Sequence, residues 1–185
     1  MSVLYTNSGV GADQSPLAGD FTTLTGAAGL RRISNKFAVI AAQDSGAYVN
    51  TVTPPNDQYA KVTIDTVGGS DAGPACRMST TQMSCYFPTS AGSSTEISLI
   101  SLVNGSFNFE DTDLAVYVAG QELYIEAQGT TILTKLAGVT INTATDASLT
   151  SGRGGMFMFD ATIRFTNLEI GDFQAADTLI GQFIQ

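Results

Sequence analysis

At Asn104-Gly105 the chain has to turn back on itself. Asn-Gly is the two-residue loop favoured by a type I′ turn, whose central residues both need φ > 0. On either side stand SLISLV, residues 98–103, and SFNFE, residues 106–110. A two-residue loop here pairs Leu102 with Phe107 and Ile100 with Phe109, an apolar ladder on one face. Cross-strand pairs of this kind contribute about 0.2–1 kcal/mol each. The rest of the chain has the same pattern. Tyr59 to Thr66 alternates, with Ala60, Val62 and Ile64 on one face and Lys61, Thr63 and Asp65 on the other, the period of a half-buried strand. Glu122 to Gln128 alternates with Leu123, Ile125 and Ala127 inward. TTILTKL and VTINTAT flank a weaker turn at Ala137-Gly138, and RFTNLEI, residues 164–170, closes the series as the last strand. About a dozen short strands with turns at this spacing, and almost no helix signal, make an all-β sandwich.

Composition agrees. Only 14% of the 185 residues are charged, and a chain of this length suits one domain. Eight Lys and Arg against 17 Asp and Glu leave a net charge of −9. Binding to nucleic acid rests on neutralising phosphates, so a surface this acidic excludes it as a partner. No apolar run approaches the roughly 20 residues that span a bilayer, so no membrane partner is expected. The opening MSVLYTNSGVGADQ lacks the basic and apolar regions of a secretory signal, which points to synthesis in a cytoplasm.

Two cysteines admit two readings. If GPACRMS and MSCYFP form a hairpin in which Met78 faces Met83, Cys76 stands directly opposite Cys85. Opposed Cα atoms lie roughly 4.5–5.5 Å apart, within disulfide range. Cytoplasmic synthesis instead favours two thiols packed as small hydrophobes. Without histidine, two thiols do not make a zinc site.

Three stretches resemble one known family. SPLAGDFTTLTGAAGLRRISNKFA resembles the family's opening, where a Pro-Leu-Gly turn leads into a strand and a Gly-Leu step into the next, with Phe21 where the family commonly has Trp. AYVN, residues 47–50, followed by DQYAKVTID, resembles the paired early strands. EAQGTTILTKLAGVTINTATDASLTSGRGGMF is the most specific part, with a polar loop and an Arg-Gly-Gly step running straight into an apolar strand at Met156 to Phe159. In order and spacing, from Ser15 to Asp172, these resemble a concanavalin A-like (laminin G-like) jelly-roll domain. The resemblance implies an antiparallel two-sheet jelly-roll sandwich over residues 1–172, with a C-terminal arm at 173–185. It also implies a set of roles: glycan binder, glucanase scaffold, or structural module on phage particles and bacterial surfaces.

Candidate residues follow for each role. Glucanases of this fold place two Glu and an Asp alternately on one strand, and nothing here matches. Glu110, Asp111 and Asp113 in NFEDTDLAV read as a solvated turn after a hairpin. The absence of histidine removes the common nucleophile triads. No catalytic residue, cofactor or metal site is therefore expected. Asn7, Asp13, Asp20, Asp111 and Asp113 are the hard oxygen donors a calcium ion would need, but no EF-hand loop is present. Tyr48, Asn50, Tyr59 and Tyr86 are the candidates for a carbohydrate site, as aromatic platforms and a hydrogen-bonding amide on the early strands. Leu179, Ile180, Phe183 and Ile184, beyond the last strand, are the candidates for an assembly interface, because free monomers tend not to expose such a patch. The leading expectation is a non-enzymatic structural protein of a bacteriophage particle, located in the virion and partnered with copies of itself and other virion proteins. The alternative is a carbohydrate-binding module recognising a host or cell-surface polysaccharide.

Overall fold

The computed structural model describes residues 1–68, 71–90, 95–159 and 162–173. Among the described residues it contains fifteen strands and no helix. The first five are β1 (Ser2–Asn7), β2 (Phe21–Thr23), β3 (Leu30–Ile33), β4 (Lys36–Val39) and β5 (Ser45–Val49). Then come β6 (Gln58–Thr66), β7 (Ala72–Met78), β8 (Cys85–Thr89), β9 (Glu96–Val103) and β10 (Ser106–Leu114). The last five are β11 (Glu122–Gln128), β12 (Thr131–Leu136), β13 (Val139–Thr145), β14 (Arg153–Met158) and β15 (Arg164–Asp172). An eight-stranded sheet runs β13-β12-β11-β6-β15-β4-β3, with β1 also paired to β15. A seven-stranded sheet runs β10-β9-β8-β7-β14-β5-β2. The sheet ladders are antiparallel, and the two sheets form a jelly-roll sandwich.

The alternation in the sequence sets the core. Ala60, Val62 and Ile64 of β6 and Leu123, Ile125 and Ala127 of β11 are buried together between the sheets. They meet Leu99 of β9, Tyr86 of β8 and Met156 and Met158 of β14 from the facing sheet. The Asn104-Gly105 turn has φ of 51° and 82°, and the register of Leu102 with Phe107 and Ile100 with Phe109 is as expected. Ala137-Gly138 turns the same way. Two expectations are corrected. AYVN and DQYAKVTID do not pair: β5 bonds to β14 and β2, while β6 bonds to β11 and β15 in the other sheet. The Pro54-Pro55 connection between them carries the chain from one sheet to the other. The Glu110 to Asp113 cluster is not a solvated turn but lies within β10, where the pairing shifts between Phe109 and Asp111.

The hairpin of β7 and β8 departs from expectation by one residue. Cys76 faces Tyr86 rather than Cys85. Near the turn, the amide of Ser79 donates to the carbonyl of Ser84, so β7 holds one more residue than β8 over this span. The extra residue is a β-bulge at Arg77, whose φ is +52°. The ladder to β14 shifts at the same place, with Arg153 against Met78 but Gly155 against Ala75. Because side chains alternate faces, a one-residue slip moves every downstream side chain to the opposite face. Cys76 therefore lies in the core between the sheets, while Cys85 lies under the outer surface of the seven-stranded sheet. Both are free buried thiols. Burial raises the pKa of each, which disfavours the thiolate.

The bulge points the Arg77 side chain, 1% exposed, into the loops at one end of the sandwich. Its Nε donates to the Asn56 carbonyl at 3.0 Å, Nη1 to Leu149 at 2.8 Å and Nη2 to Gly129 at 2.8 Å. Its backbone amide donates to Gln58 Oε1 at 3.2 Å, and Asp57 supplies a carboxylate at 3.8 Å. Three separate loops thus share one cation. The glycines of SGRGG give β14 room to pass. A Cβ on Gly152 would stand 2.4 Å from the Arg77 carbonyl carbon, and one on Gly155 would stand 2.2 Å from the Ala47 oxygen. Replacing Arg77 by Met keeps the bulk and removes the donors, stranding three carbonyls. The variant should lose about 3 kcal/mol or more of unfolding free energy, read from urea denaturation.

Candidate functional site

The four carbohydrate candidates are not brought together. Tyr86 is fully buried between the sheets, where its hydroxyl accepts the Leu149 amide at 3.0 Å. Tyr48 is 9% exposed and packs in the cluster with Leu24 and Phe157 on the outer side of the seven-stranded sheet. Asn50 is exposed, but its amide donates to the Gly19 carbonyl and to Thr22 Oγ1, tying β5 to the β2 region. Tyr59 is 4% exposed on the outer side of the eight-stranded sheet, stacked on Tyr124 with ring centroids 5.4 Å apart. Its hydroxyl donates to Glu169 Oε1 at 2.9 Å; burial first and that carboxylate second push its pKa well above the ordinary value. The assembly candidates Leu179, Ile180, Phe183 and Ile184 lie outside the described residues.

Four of the five calcium candidates are occupied locally. Asp13 Oδ1 accepts the Ser34 amide, Asn7 Oδ1 the Gly9 amide, Asp20 Oδ2 the Tyr5 hydroxyl, and Asp111 Oδ2 the Thr143 amide. Among the described residues no group of three or more acidic, cysteine or histidine side chains converges as a metal site would need.

A different set of residues does converge, on the outer side of the seven-stranded sheet. Leu24, Met78, Cys85, Leu102 and Phe157 form a second apolar cluster there, with Ala27 and Met83 packed against it. The β2–β3 loop lies against the β7–β8 turn over that end, where Thr25 Oγ1 donates to the Thr80 carbonyl and a Cβ on Gly26 would touch Met83. The other end opens as a groove of about 360 Å³, lined by Phe87, Ile100, Phe107, Phe109 and Phe159 and by Asp44, Asp71 and Thr89. Phe107 stands edge-on to Phe87 and Phe157, with centroids 6.3 and 6.0 Å away. Phe107, Phe109 and Phe159 keep 41%, 65% and 38% of their surface exposed, so three phenyl faces remain available in one place. They are exposed because β10 is the edge strand and Phe159 lies just past the end of β14.

The polar wall comes from strand ends. Asp71 precedes β7; its carbonyl accepts the Phe159 amide at 2.6 Å and its Oδ1 accepts the Thr89 hydroxyl at 2.5 Å. Asp44 precedes β5, and its pKa is raised by burial first and by the negative charge of Asp71 second. The groove is thus an apolar floor with two carboxylates at its rim, the make-up of a small-ligand site.

The phenylalanine ladder of this groove was visible in the sequence as the hairpin at Asn104-Gly105. What the sequence concealed was the solvent exposure of its outer half and the arrival of Phe87. With Cys76 opposite Cys85, Tyr86 faces out and Phe87 faces in. The Arg77 bulge reverses both.

No family model and no curated protein matches the sequence. Solved structures share the fold. A carbohydrate-binding module, CBM66 from Bacillus subtilis, superposes with a TM-score of 0.68 at 16% identity, covering 83% of this chain and 96% of that one. A β-1,3-1,4-glucanase (lichenase) from a mouse hindgut metagenome gives 0.63 at 8% identity, covering 91% and 99%. A legume lectin-like domain from Entamoeba histolytica gives 0.57 at 10% identity, covering 84% and 91%. The chain has a concanavalin A-like jelly-roll fold.

The raised pKa of Asp44 has a stability consequence with a defined sign. The folded protein holds this proton more tightly than the unfolded chain. The resulting stabilisation is complete below the ordinary aspartate value of 3.8 and is lost as pH rises through the higher folded value. Asp44→Asn should therefore unfold at a higher temperature than the wild type at neutral pH. The two melting temperatures should converge as pH falls below 3.8, as followed by circular dichroism.

Proposed function

We propose that the domain is a non-catalytic carbohydrate-binding module that takes a neutral glycan into the phenylalanine groove. The observation that carries this reading is the coincidence of three exposed phenyl faces with two carboxylates in one groove. A sugar ring has an apolar face of C–H groups and a rim of hydroxyls. The rings of Phe107, Phe109 and Phe159 cover the first, at roughly 25 cal/mol per Å² of apolar surface removed from water. Asp44 and Asp71 accept hydrogen bonds from the second, and a carboxylate acceptor strengthens such a bond. The same two charges repel an acidic sugar, which selects a neutral one. Structural neighbours named as carbohydrate-binding or lectin-like domains support this reading at the level of fold.

A glucanase also shares the fold. A raised pKa on one of two neighbouring carboxylates is the signature of a glycosidase acid. Here Asp71 is engaged by Thr89, and both residues come from strand ends rather than from alternating positions of one strand. We read the pair as hydrogen-bond acceptors. The expectation of a structural role in a bacteriophage particle gains no support from the neighbours or from the described surface.

Affinity electrophoresis and calorimetry against a panel of neutral polysaccharides test the proposal. Saturable binding is expected, with Phe109→Ala weakening it roughly tenfold and Asp71→Asn several-fold. No reducing ends should be released from any member of the panel. Binding indifferent to both substitutions would remove the groove from the account. Hydrolysis abolished by Asp44→Asn would overturn its non-catalytic character.

A further inference from the structure

We infer that the chain carries a second site of opposite electrostatic character, at the other end of β7 and β14, which takes the carboxylate of an acidic sugar of the uronate type. A cleft of about 500 Å³ lies where β14 begins and β7 ends, within the size range of small-ligand sites. Thr53, Ser79, Gln82, Thr150, Ser151 and Arg153 are among its walls, and Arg77 lies behind them. Among the described residues lining it there is no carboxylate and no aromatic ring. In a chain with 17 acidic and eight basic residues, such a surface is an exception.

Its charged lining residues are Arg77 and Arg153, while the nearby carboxylates of Asp57, beside Arg77, and Asp146, bonded to Ser148, are not part of the lining. Lys36, Lys61 and Lys135 each pair with a carboxylate within 3.0 Å. Arg77 has Asp57 at 3.8 Å and spends its side-chain donors on three carbonyls. Arg153 has no carboxylate partner among the described residues. Its Nη1 donates to the Val52 carbonyl and to Thr53 Oγ1, which fixes the plane of the guanidinium. No described group takes the hydrogens of Nε and Nη2, the edge whose parallel donors match the two oxygens of a carboxylate. Beside Arg153 the cleft lining holds hydroxyls and amides, which donate to and accept from sugar hydroxyls without any stacking. The preference for an anion follows from Arg153, which no described carboxylate pairs. The choice of a sugar acid over a free carboxylate rests on the carbohydrate-binding reading.

Calorimetry with a short oligogalacturonate tests the inference, alongside its methyl ester, a neutral oligosaccharide and acetate. The acid should bind, more weakly as salt is raised, and at least tenfold better than the ester, the neutral sugar or acetate. Arg153→Gln should weaken it roughly tenfold or more, the loss of a charge-assisted pair. Arg153 also braces the loop before β6, so Thr150→Glu provides a second variant. It places a carboxylate on an exposed position of the cleft and should weaken binding to a similar degree while leaving the melting temperature unchanged. Phe109→Ala should leave this binding intact. Equal binding of acid and ester, or wild-type affinity in both cleft variants, would refute the site. Acetate binding as tightly as the oligomer would overturn the sugar assignment. Loss of acid binding only in Phe109→Ala would overturn the second site and still leave the phenylalanine groove as the binding surface.

Discussion

One buried guanidinium decides which residues this protein shows to solvent. Arg77 sits in the left-handed region of backbone space, inserts one extra residue into β7, and reverses the facing of the strand that follows it. A cation this deep in the fold is costly to desolvate unless its donors are satisfied. The carbonyls of Asn56, Gly129 and Leu149 meet that demand, and each belongs to a different loop. The loops are held by Arg77, and Arg77 is tolerated because the loops hold it. The glycines at 152 and 155 belong to the same arrangement, since a side chain at either would collide with the bulged strand or its neighbour.

The reversal reaches the groove. Past the bulge, Tyr86 turns inward to close the core against Leu149, and Phe87 turns outward to pack on Phe157 with centroids 4.6 Å apart. Phe107 completes that cluster from the edge strand. The aromatic floor is thus a product of register, and its carboxylates are a product of strand termini. The two ends of the seven-stranded sheet then differ in charge. Asp44 and Asp71 stand at one end, and Arg77 and Arg153 at the other.

Much of the fold was legible in the residues. The alternation of Tyr59 to Thr66 and of Glu122 to Gln128 predicts which side chains are buried, and Asn104-Gly105 predicts a register that the structure reproduces. Local periodicity cannot reveal a bulge, however, because the sequence ACRMS alternates no differently with or without one. The faces taken by Cys85, Tyr86 and Phe87 all turned on that one residue. Sheet membership was also hidden: nothing in AYVN or DQYAKVTID states that Pro54-Pro55 separates two layers. Exposure depends on neighbours too. The sequence pairs Phe107 and Phe109 with buried partners, yet does not say that β10 is an edge strand among the described residues.

The central claim is that the phenylalanine groove receives the glycan. The most direct measurement is aromatic ¹H–¹³C NMR during titration with a saturating polysaccharide fragment. The account predicts that the ring signals of Phe107, Phe109 and Phe159 shift together, while those of the Tyr59–Tyr124 stack on the opposite sheet stay in place. Shifts confined to Tyr59 and Tyr124, or saturation with no phenylalanine ring responding, would contradict it.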